Sequence, residues 1–441
     1  MSIDNRQWSA AVVGAGSSGL AAARNFREAG FHVTVLERES DLGGNWNYGS
    51  PAARVYRSTH TISSKPGTEF PDFPMPREFP DYPHHRQILA YLREYACHFD
   101  LMPSIRFSTG VERITPVREG TPDTAWEVTL STGERQAFDT VVIANGHHTV
   151  PRLPEYAGPF TGRSLHSAEY QTPDLFEGLR VLVVGGGNSG CDIAVEAAQH
   201  AIQTWHSTRR GYWYMPKYLL GTPADQVADR LLALGAPLWL RRGLGTLSHR
   251  LLVGPPAKTG LPRPDHRLFE THPIVNSLLP YYVGHGDLTP KPDIARLDGR
   301  IIHFVDGTSI EVDLIVWATG YRIHFPFIDD RHLNWMDGRP ALYLNVFHPQ
   351  YDTLFLAGLI QPDSGQFGLV HWQMQVAARF ARAARLNLPA ANQLRQRKAD
   401  PTDDLGNGIR YRNSTRHYLE VEHWSYRKKL QRWADQLHID D

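Results

Sequence analysis

The chain has 441 residues, of which 41% are hydrophobic and 21% charged, with 46 basic and 46 acidic side chains. That balance excludes a global basic field of the kind that draws nucleic acid or an anionic membrane surface, and the length calls for two or three domains. Two cysteines, Cys97 and Cys191, give neither a disulfide framework nor a Cys-x-x-Cys redox or zinc motif.

The opening stretch MSIDNRQWSAAVV has no basic region followed by an apolar one, so no leader peptide is read. The longest apolar runs, such as LFLAGLI at 354–360, are far below a membrane span. These features predict a soluble, cytoplasmic protein that handles small ligands, with no nucleic-acid or membrane partner and a homodimer as the default assembly.

Residues 10–37 read AAVVGAGSSGLAAARNFREAGFHVTVLE. An apolar strand runs into Gly14, Ala15, Gly16, Ser17, Ser18 and Gly19, a helix pattern follows, and a second strand ends in Glu37. The three glycines serve a tight turn, close approach to a pyrophosphate and close helix–strand packing. The helix N-terminus then offers free N–H groups to phosphate, and a carboxylate about 20 residues on accepts hydrogen bonds from ribose hydroxyls. This is a dinucleotide site.

In FPDYPHHRQILAYLREYACHFDL, Ile88, Leu92, Tyr95 and Phe99 recur on one helical face. Residues 131–146, STGERQAFDTVVIANG, then give a turn, a short strand, an Asp and an apolar strand ending in glycine. The stretch FTGRSLHSAEYQ, 160–171, fits no regular element: it is too polar for a core strand.

From Arg180 the plan recurs in RVLVVGGGNSGCDIAVEAAQHAIQTWHSTRRG, with Gly185, Gly187 and Gly190 as the loop glycines. Its second strand ends in Ser207, Thr208, Arg209 and Arg210 in place of an acid. Hydroxyls and a guanidinium bind a 2′-phosphate that a carboxylate would repel, so this second site is built for NADPH. It closes as the first does, in DGTSIEVDLIVWATG at 306–320.

Between the second site and its closing strand, 212–270 carries an aromatic stretch and amphipathic helical blocks. It is read as a helical insertion covering the domain cleft, with Tyr212, Trp213, Tyr214 and Met215 walling a substrate channel; a helical hairpin packed for stability or self-association is the alternative. Arg241, Arg242, His249 and Arg250 make only a weak basic face. The 22 histidines are read as surface or loop residues apart from His166, with no metal-ligand spacing.

Phe160, Gly162, His166 and Tyr170 match Phe-x-Gly-x-x-x-His-x-x-x-Tyr, and on these residues the chain resembles the flavin-containing monooxygenases, a family of class B flavin enzymes. Gln171 departs from the Lys or Arg that follows in the family, and related Baeyer–Villiger enzymes would place Trp at 170. Gly43, Gly44 and Trp46, the loop GGGNSGCDIA, WATGY at 317–321 and LFLAGLIQP at 354–362 extend the likeness over about 8–380.

The resemblance implies an α/β fold with two Rossmann-like domains. The NADPH domain, 161–324, is inserted into a discontinuous FAD domain, 1–160 plus 325–441, whose tail is a helical or extended wrap. It assigns Arg38, Gly44, Asn45, Trp46, Val111 and Gln361 to the FAD site, Asn188, Ser189, Gly190 and Asp192 to the NADPH site, and the 160–171 stretch to a hinge coupling the two.

It also implies chemistry in which NADPH reduces FAD, O2 adds to give a C4a-hydroperoxyflavin, and one oxygen passes to nitrogen or sulfur of a small nucleophilic substrate. The catalytic residues expected are Thr61, Ile62, Ser63 and His166. In the family's Ser-x-x-Thr-Asn pattern, Ser58 and Thr61 match, but Ile62 stands where an asparagine usually donates a hydrogen bond. Three consequences stay open: Ser63 takes over, NADP+ and packing suffice, or the enzyme leaks hydrogen peroxide as an NADPH oxidase. Baeyer–Villiger oxygenation and a nonenzymatic nucleotide sensor are the other readings, while the missing Cys-x-x-Cys argues against a disulfide reductase.

Overall fold

The computed structural model describes residues 7–254, 260–400 and 402–439. The first six residues of the stretch read as leader-free, 255–259 of the expected insertion, and 401, 440 and 441 of the tail lie outside the described residues.

Both glycine loops join a strand to a helix. In the first half the strands Ser9–Val13 and His32–Leu36 flank the helix Ser17–Glu28; in the second, Arg180–Val184 and Gln203–Ser207 flank Asn188–His200. The two opening strands, Ser9–Val13 and Arg180–Val184, are apolar after their first residue because their sheets are parallel and covered on both faces.

The two five-stranded sheets share one order. The first runs Leu354–Leu356, Thr140–Ile143, Ser9–Val13, His32–Leu36, Ile105–Arg106, and the second Arg163–His166, Leu314–Trp317, Arg180–Val184, Gln203–Ser207, Leu288–Lys291. Every pairing in both is parallel. In each, a three-stranded antiparallel unit leads into the closing strand: Val111–Pro116, Trp126–Leu130 and Arg135–Phe138 before the first, Ile294–Asp298, Ile301–Phe304 and Ser309–Glu311 before the second.

The Asp ahead of each closing strand has the same task in both halves. Asp139 accepts from the Ser9 backbone N–H at 2.9 Å, and Asp313 from that of Arg180 at 2.9 Å, so each fixes the start of its opening strand. The side chain of Arg180 also donates to Asp313 and holds its carboxyl down to about 2.

The 160–171 stretch corrects an expectation. Arg163–His166 is a strand, parallel to Leu314–Trp317, at the edge of the second sheet. Its polarity reflects that edge position, where one flank meets solvent. Gly162 is required beside it, since a Cβ there would lie 2.8 Å from the carbonyl oxygen of Asp313.

The helix His85–His98 buries Ile88, Leu92 and Tyr95 as the periodicity predicts. The insertion differs from expectation in two ways. Tyr212 and Tyr214 lie in the core of the second half, where Tyr214 pairs with Ile274 and Tyr212 occupies the space a side chain at Gly186 would need. Trp213 donates to the carbonyl of His266. Tyr212 therefore braces the second loop and Tyr214 fills the core, while Trp213 and Met215 are half-buried.

The helix Leu238–Leu252 turns Arg241 and His249 inward and leaves Trp239 and Leu251 73% and 75% exposed, so the weak basic face is reduced to exposed Arg250 and half-buried Arg242. His85, His206, His249, His332, His348, His371 and His423 are likewise buried, contrary to their reading as surface or loop residues.

Candidate functional site: two glycine loops and the segment between them

Parallel strands point their carboxyl ends at the loops, and ligands of such sheets bind there. In the first loop Gly14 has φ +103°, and a Cβ on it would lie 2.9 Å from the Ala144 carbonyl oxygen. A Cβ on Gly19 would overlap the carbonyl oxygen of Gly14. Over Gly16 the nearest atom is the Cα of Gly44, 3.8 Å away, so this position leaves backbone free to meet a phosphate.

Gly44 opens the short turn Gly44–Trp46, and Gly43 donates to the Ala15 carbonyl at 3.0 Å, which lays the turn against the loop. Trp46 packs edge-on to Phe367, and Asn45 is exposed on the same turn.

Glu37 ends its strand buried beneath the loop. One carboxylate oxygen accepts from Ala15 N–H at 2.6 Å and the other from Glu39 N–H at 2.9 Å. Burial raises the carboxyl's pKa, against the lowering effect of those two N–H groups. A carboxylate has about four lone-pair sites, so two remain for ribose hydroxyls and the site fits its nucleotide.

Arg38 is exposed and paired with Glu39 at 3.1 Å. Val111 starts the first antiparallel unit, opposite Leu130. Gln361 sits in the two-residue strand Gln361–Pro362 beside Glu420–Val421, donating its backbone N–H to Leu419 at 2.6 Å.

The second loop repeats this geometry: a Cβ on Gly190 would overlap the Gly185 carbonyl oxygen. Several expected ligands are engaged within the protein. Asn188 donates to Pro273 at 3.1 Å and accepts from Val275 N–H at 2.9 Å, Asp192 accepts from Tyr56 at 3.0 Å and Asn276 at 2.6 Å, and Ser207 donates to Pro292 at 2.6 Å. Their side chains therefore build the loop's surroundings.

The backbone of Asn188, Ser189 and Gly190 still forms the helix N-terminus. Thr208 is buried, and Arg209 is exposed at the strand's end.

One residue at this loop escaped the sequence reading. Arg416, from the tail, brings a guanidinium nitrogen to 3.6 Å from where a Gly187 Cβ would be, and its charge lies over the Tyr212 ring, 5.3 Å from the centroid. Nothing in RNSTRHY marks it, since a lone tail arginine has no spacing relative to a loop more than two hundred residues earlier.

Among the expected catalytic residues, Thr61 is 3% exposed with its hydroxyl unpartnered, whereas Ile62 is 37% exposed. Ser63 lies 2.9 Å from the Thr68 hydroxyl, which itself donates to the Ser64 carbonyl at 3.0 Å. A hydroxyl has one proton, so Ser63 spends its own on Thr68.

His166 ends the edge strand of the second sheet, accepts from Ala168 N–H at 3.1 Å and meets Tyr321 edge-on at 5.2 Å. Burial lowers its pKa. The structure thus places His166 at the end of the second sheet's edge strand and Thr61–Ser63 between segments that bond to the second half at Tyr56, Ser58 and Ser64.

A family model described as flavin-binding monooxygenase-like matches residues 7–431. Flavin-containing monooxygenase 3 of Rattus norvegicus is 33% identical over 408 residues, 87% of this chain and 75% of that protein. The Mus musculus protein named dimethylaniline monooxygenase 2, N-oxide-forming, is 36% identical over 396 residues, 83% and 72% of the two chains.

Among solved structures, S-allyl-L-cysteine S-oxygenase from Allium sativum matches with TM-score 0.68 at 21% identity, covering 99% of this chain and 90% of that one. A steroid monooxygenase bound to NADP matches with TM-score 0.69 at 20% identity, covering 97% and 98%; at such identity these two show the fold. With both nucleotide loops formed and relatives above 30% identity over most of its length, the chain belongs to the flavin-containing monooxygenase family and is an FAD-dependent, NADPH-using monooxygenase.

Proposed function

We propose that the enzyme transfers one oxygen atom to nitrogen or sulfur of a small nucleophilic substrate. The observation that carries this reading is the 36% identity to a protein whose name specifies N-oxide formation. The balance is substrate, O2, NADPH and a proton giving oxygenated substrate, water and NADP+. Bound flavin supplies hydride acceptance and the reaction with O2.

The chain's own residues bind and orient. N–H groups at the start of Ser17–Glu28 receive one pyrophosphate and those at the start of Asn188–His200 the other. Glu37 takes the FAD ribose. Arg209 takes the 2′-phosphate, with Thr208 beside it, and Arg416 reaches the second pyrophosphate from the tail. Gly44, Asn45, Trp46, Val111 and Gln361 line the FAD side, Gln361 toward the reacting ring.

The domain division at 161–324 is part of this proposal, supported by Arg163–His166 and Leu314–Trp317 sharing a sheet. Among the described residues no helix is long and apolar enough to cross a membrane.

A second reading, release of hydrogen peroxide, is favoured by Ile62 together with the engaged Ser63 hydroxyl. The test supplies FAD-loaded enzyme with NADPH, O2 and either trimethylamine, thioanisole or cyclohexanone, and measures product and peroxide per NADPH. N-oxide or sulfoxide is the expected product. Lactone alone would reassign the enzyme to ketone oxygenation, and stoichiometric peroxide with every probe would make it an oxidase.

A further inference from the structure

The segment carrying Thr61, Ile62 and Ser63 belongs by sequence to the first half, yet side chains of the second half hold it. Tyr56 donates to Asp192 at 3.0 Å, Arg57 to Asp174 at 3.0 Å, and Ser58 to Glu196. On the far side of Ile62, Ser64 N–H donates to Asp225 at 2.6 Å. Four carboxylates thus bracket the three residues.

Their origins connect three features of the fold. Asp192 and Glu196 stand one helical turn apart on Asn188–His200, the helix whose N-terminus faces the dinucleotide, so they share a face. The other oxygen of Glu196 accepts from Tyr170, the last residue of the 160–170 motif. Asp225 lies in the first turn of the insertion helix Ala224–Ala233, and its second oxygen accepts from Gln226 N–H at 3.0 Å, which fixes its rotamer. The first half grips the segment as well, through neutral main-chain bonds: Thr61 N–H donates to Pro83 and His85 N–H to Thr59, both at 3.0 Å, and Lys65 N–H to the Asp81 carbonyl at 2.7 Å.

We propose that Glu196 and Asp225 are positioning residues that hold Ser58–Ser64 in the arrangement the oxygen step requires, and so set how much NADPH is spent on product and how much on peroxide. The leak is NADPH, a proton and O2 giving NADP+ and hydrogen peroxide, with no oxygen transferred. Neither carboxylate need touch substrate or flavin; each acts through the backbone or hydroxyl it holds. Charge-assisted bonds suit this task because they are about twice as strong as neutral ones. The insertion thereby gains a function: its first turn closes the lock.

The inference rests on the monooxygenase reading, and its test separates the two. FAD-loaded wild type, Glu196→Gln, Asp225→Asn and the conservative Asp225→Glu are compared in three measurements. These are NADP+ affinity by calorimetry, amide hydrogen exchange over residues 58–68, and peroxide per NADPH with thioanisole.

In Asp225→Asn, exchange at the Ser64 amide should rise about tenfold, the loss of one charge-assisted bond, and the peroxide fraction should rise severalfold. NADP+ affinity and exchange in Arg163–His166 should stay at wild-type values. Glu196→Gln should loosen the Ser58 side of the segment in the same way, and Asp225→Glu should restore coupling. Unchanged exchange and peroxide in both charge-removing variants would overturn the proposal, as would loosening that spreads through both sheets. If wild type makes only peroxide with every probe, the oxygenation reading fails while the exchange result still decides the lock.

Discussion

The two dinucleotide halves share strand order, loop glycines and a capping Asp, but differ in what ends the second strand and where the outer strand comes from. Glu37 turns inward and pins its own loop through Ala15, leaving lone pairs for a ribose. In the other half Ser207 turns away to Pro292 and leaves Arg209 at the rim. The outer strand of the first sheet, Leu354–Leu356, arrives after the second half is finished, whereas that of the second, Arg163–His166, comes first in its own half, ahead of the glycine loop. The two halves therefore share one frame and differ at a few positions at strand ends, and each sheet finishes with a strand beyond the loop unit that defines it.

The largest break in the comparison is expected from the loop glycines. Gly19→Ala and Gly190→Ala each drive a methyl into a carbonyl oxygen, at a cost of about 3 kcal/mol or more. Gly19→Ala should abolish FAD retention, measured by flavin absorbance after gel filtration. Gly190→Ala should keep FAD bound and abolish its reduction by NADPH.

Arg209→Ala should weaken NADPH binding about tenfold, through loss of a charge-assisted contact to the 2′-phosphate, and leave NADH binding unchanged; titration with both nucleotides checks it. An equal loss for NADH would move Arg209 away from the 2′-phosphate.

Ile62→Asn sharpens the contrast on the oxygen side. It supplies the amide donor that the engaged Ser63 hydroxyl does not, so the peroxide released per NADPH should fall by about half or more, one neutral hydrogen bond being about 1 kcal/mol. A peroxide assay with and without thioanisole reads this.

The smallest effect is a pH dependence in the link between insertion and tail. His423 donates to Asp229 and Asp363 at 2.7 Å each. Burial opposes its charging, but the two carboxylates prevail and hold its pKa up to about 10. Because the folded value is raised, the stabilisation is full below the ordinary value of about 6.5 and is lost as pH rises through 10. The melting temperature should therefore fall by a few degrees between those limits, and His423→Gln should flatten that part of the profile.

The loops, the strands around them and the helix face of Ile88, Leu92 and Tyr95 were legible because each follows from a local period or from glycine spacing. The closing Asp was legible as a repeated pattern, though its grip on Ser9 and Arg180 was not. Not legible were the edge strand within 160–171, concealed by its polarity, and the burial of Tyr212 and Tyr214 in the core of the second half, Tyr212 against the second loop. Buried histidines such as His249, set edge-on against Trp213 at 5.1 Å, also gave no sign of their position.

Sequence by itself determined that this protein has two glycine loops of dinucleotide-binding form, that an acid follows one second strand and arginines the other, and that Ile62 stands in a Ser-x-x-Thr-x pattern, because backbone turns and charge act within a few residues. Only the tertiary structure decided which side chains remain free for ligand, that Arg416 reaches the second loop, and that carboxylates of the second half hold the segment around Ile62. Those depend on contacts between residues far apart in the chain, whose hydrogen-bonding capacity is spent on whichever partner the fold brings near.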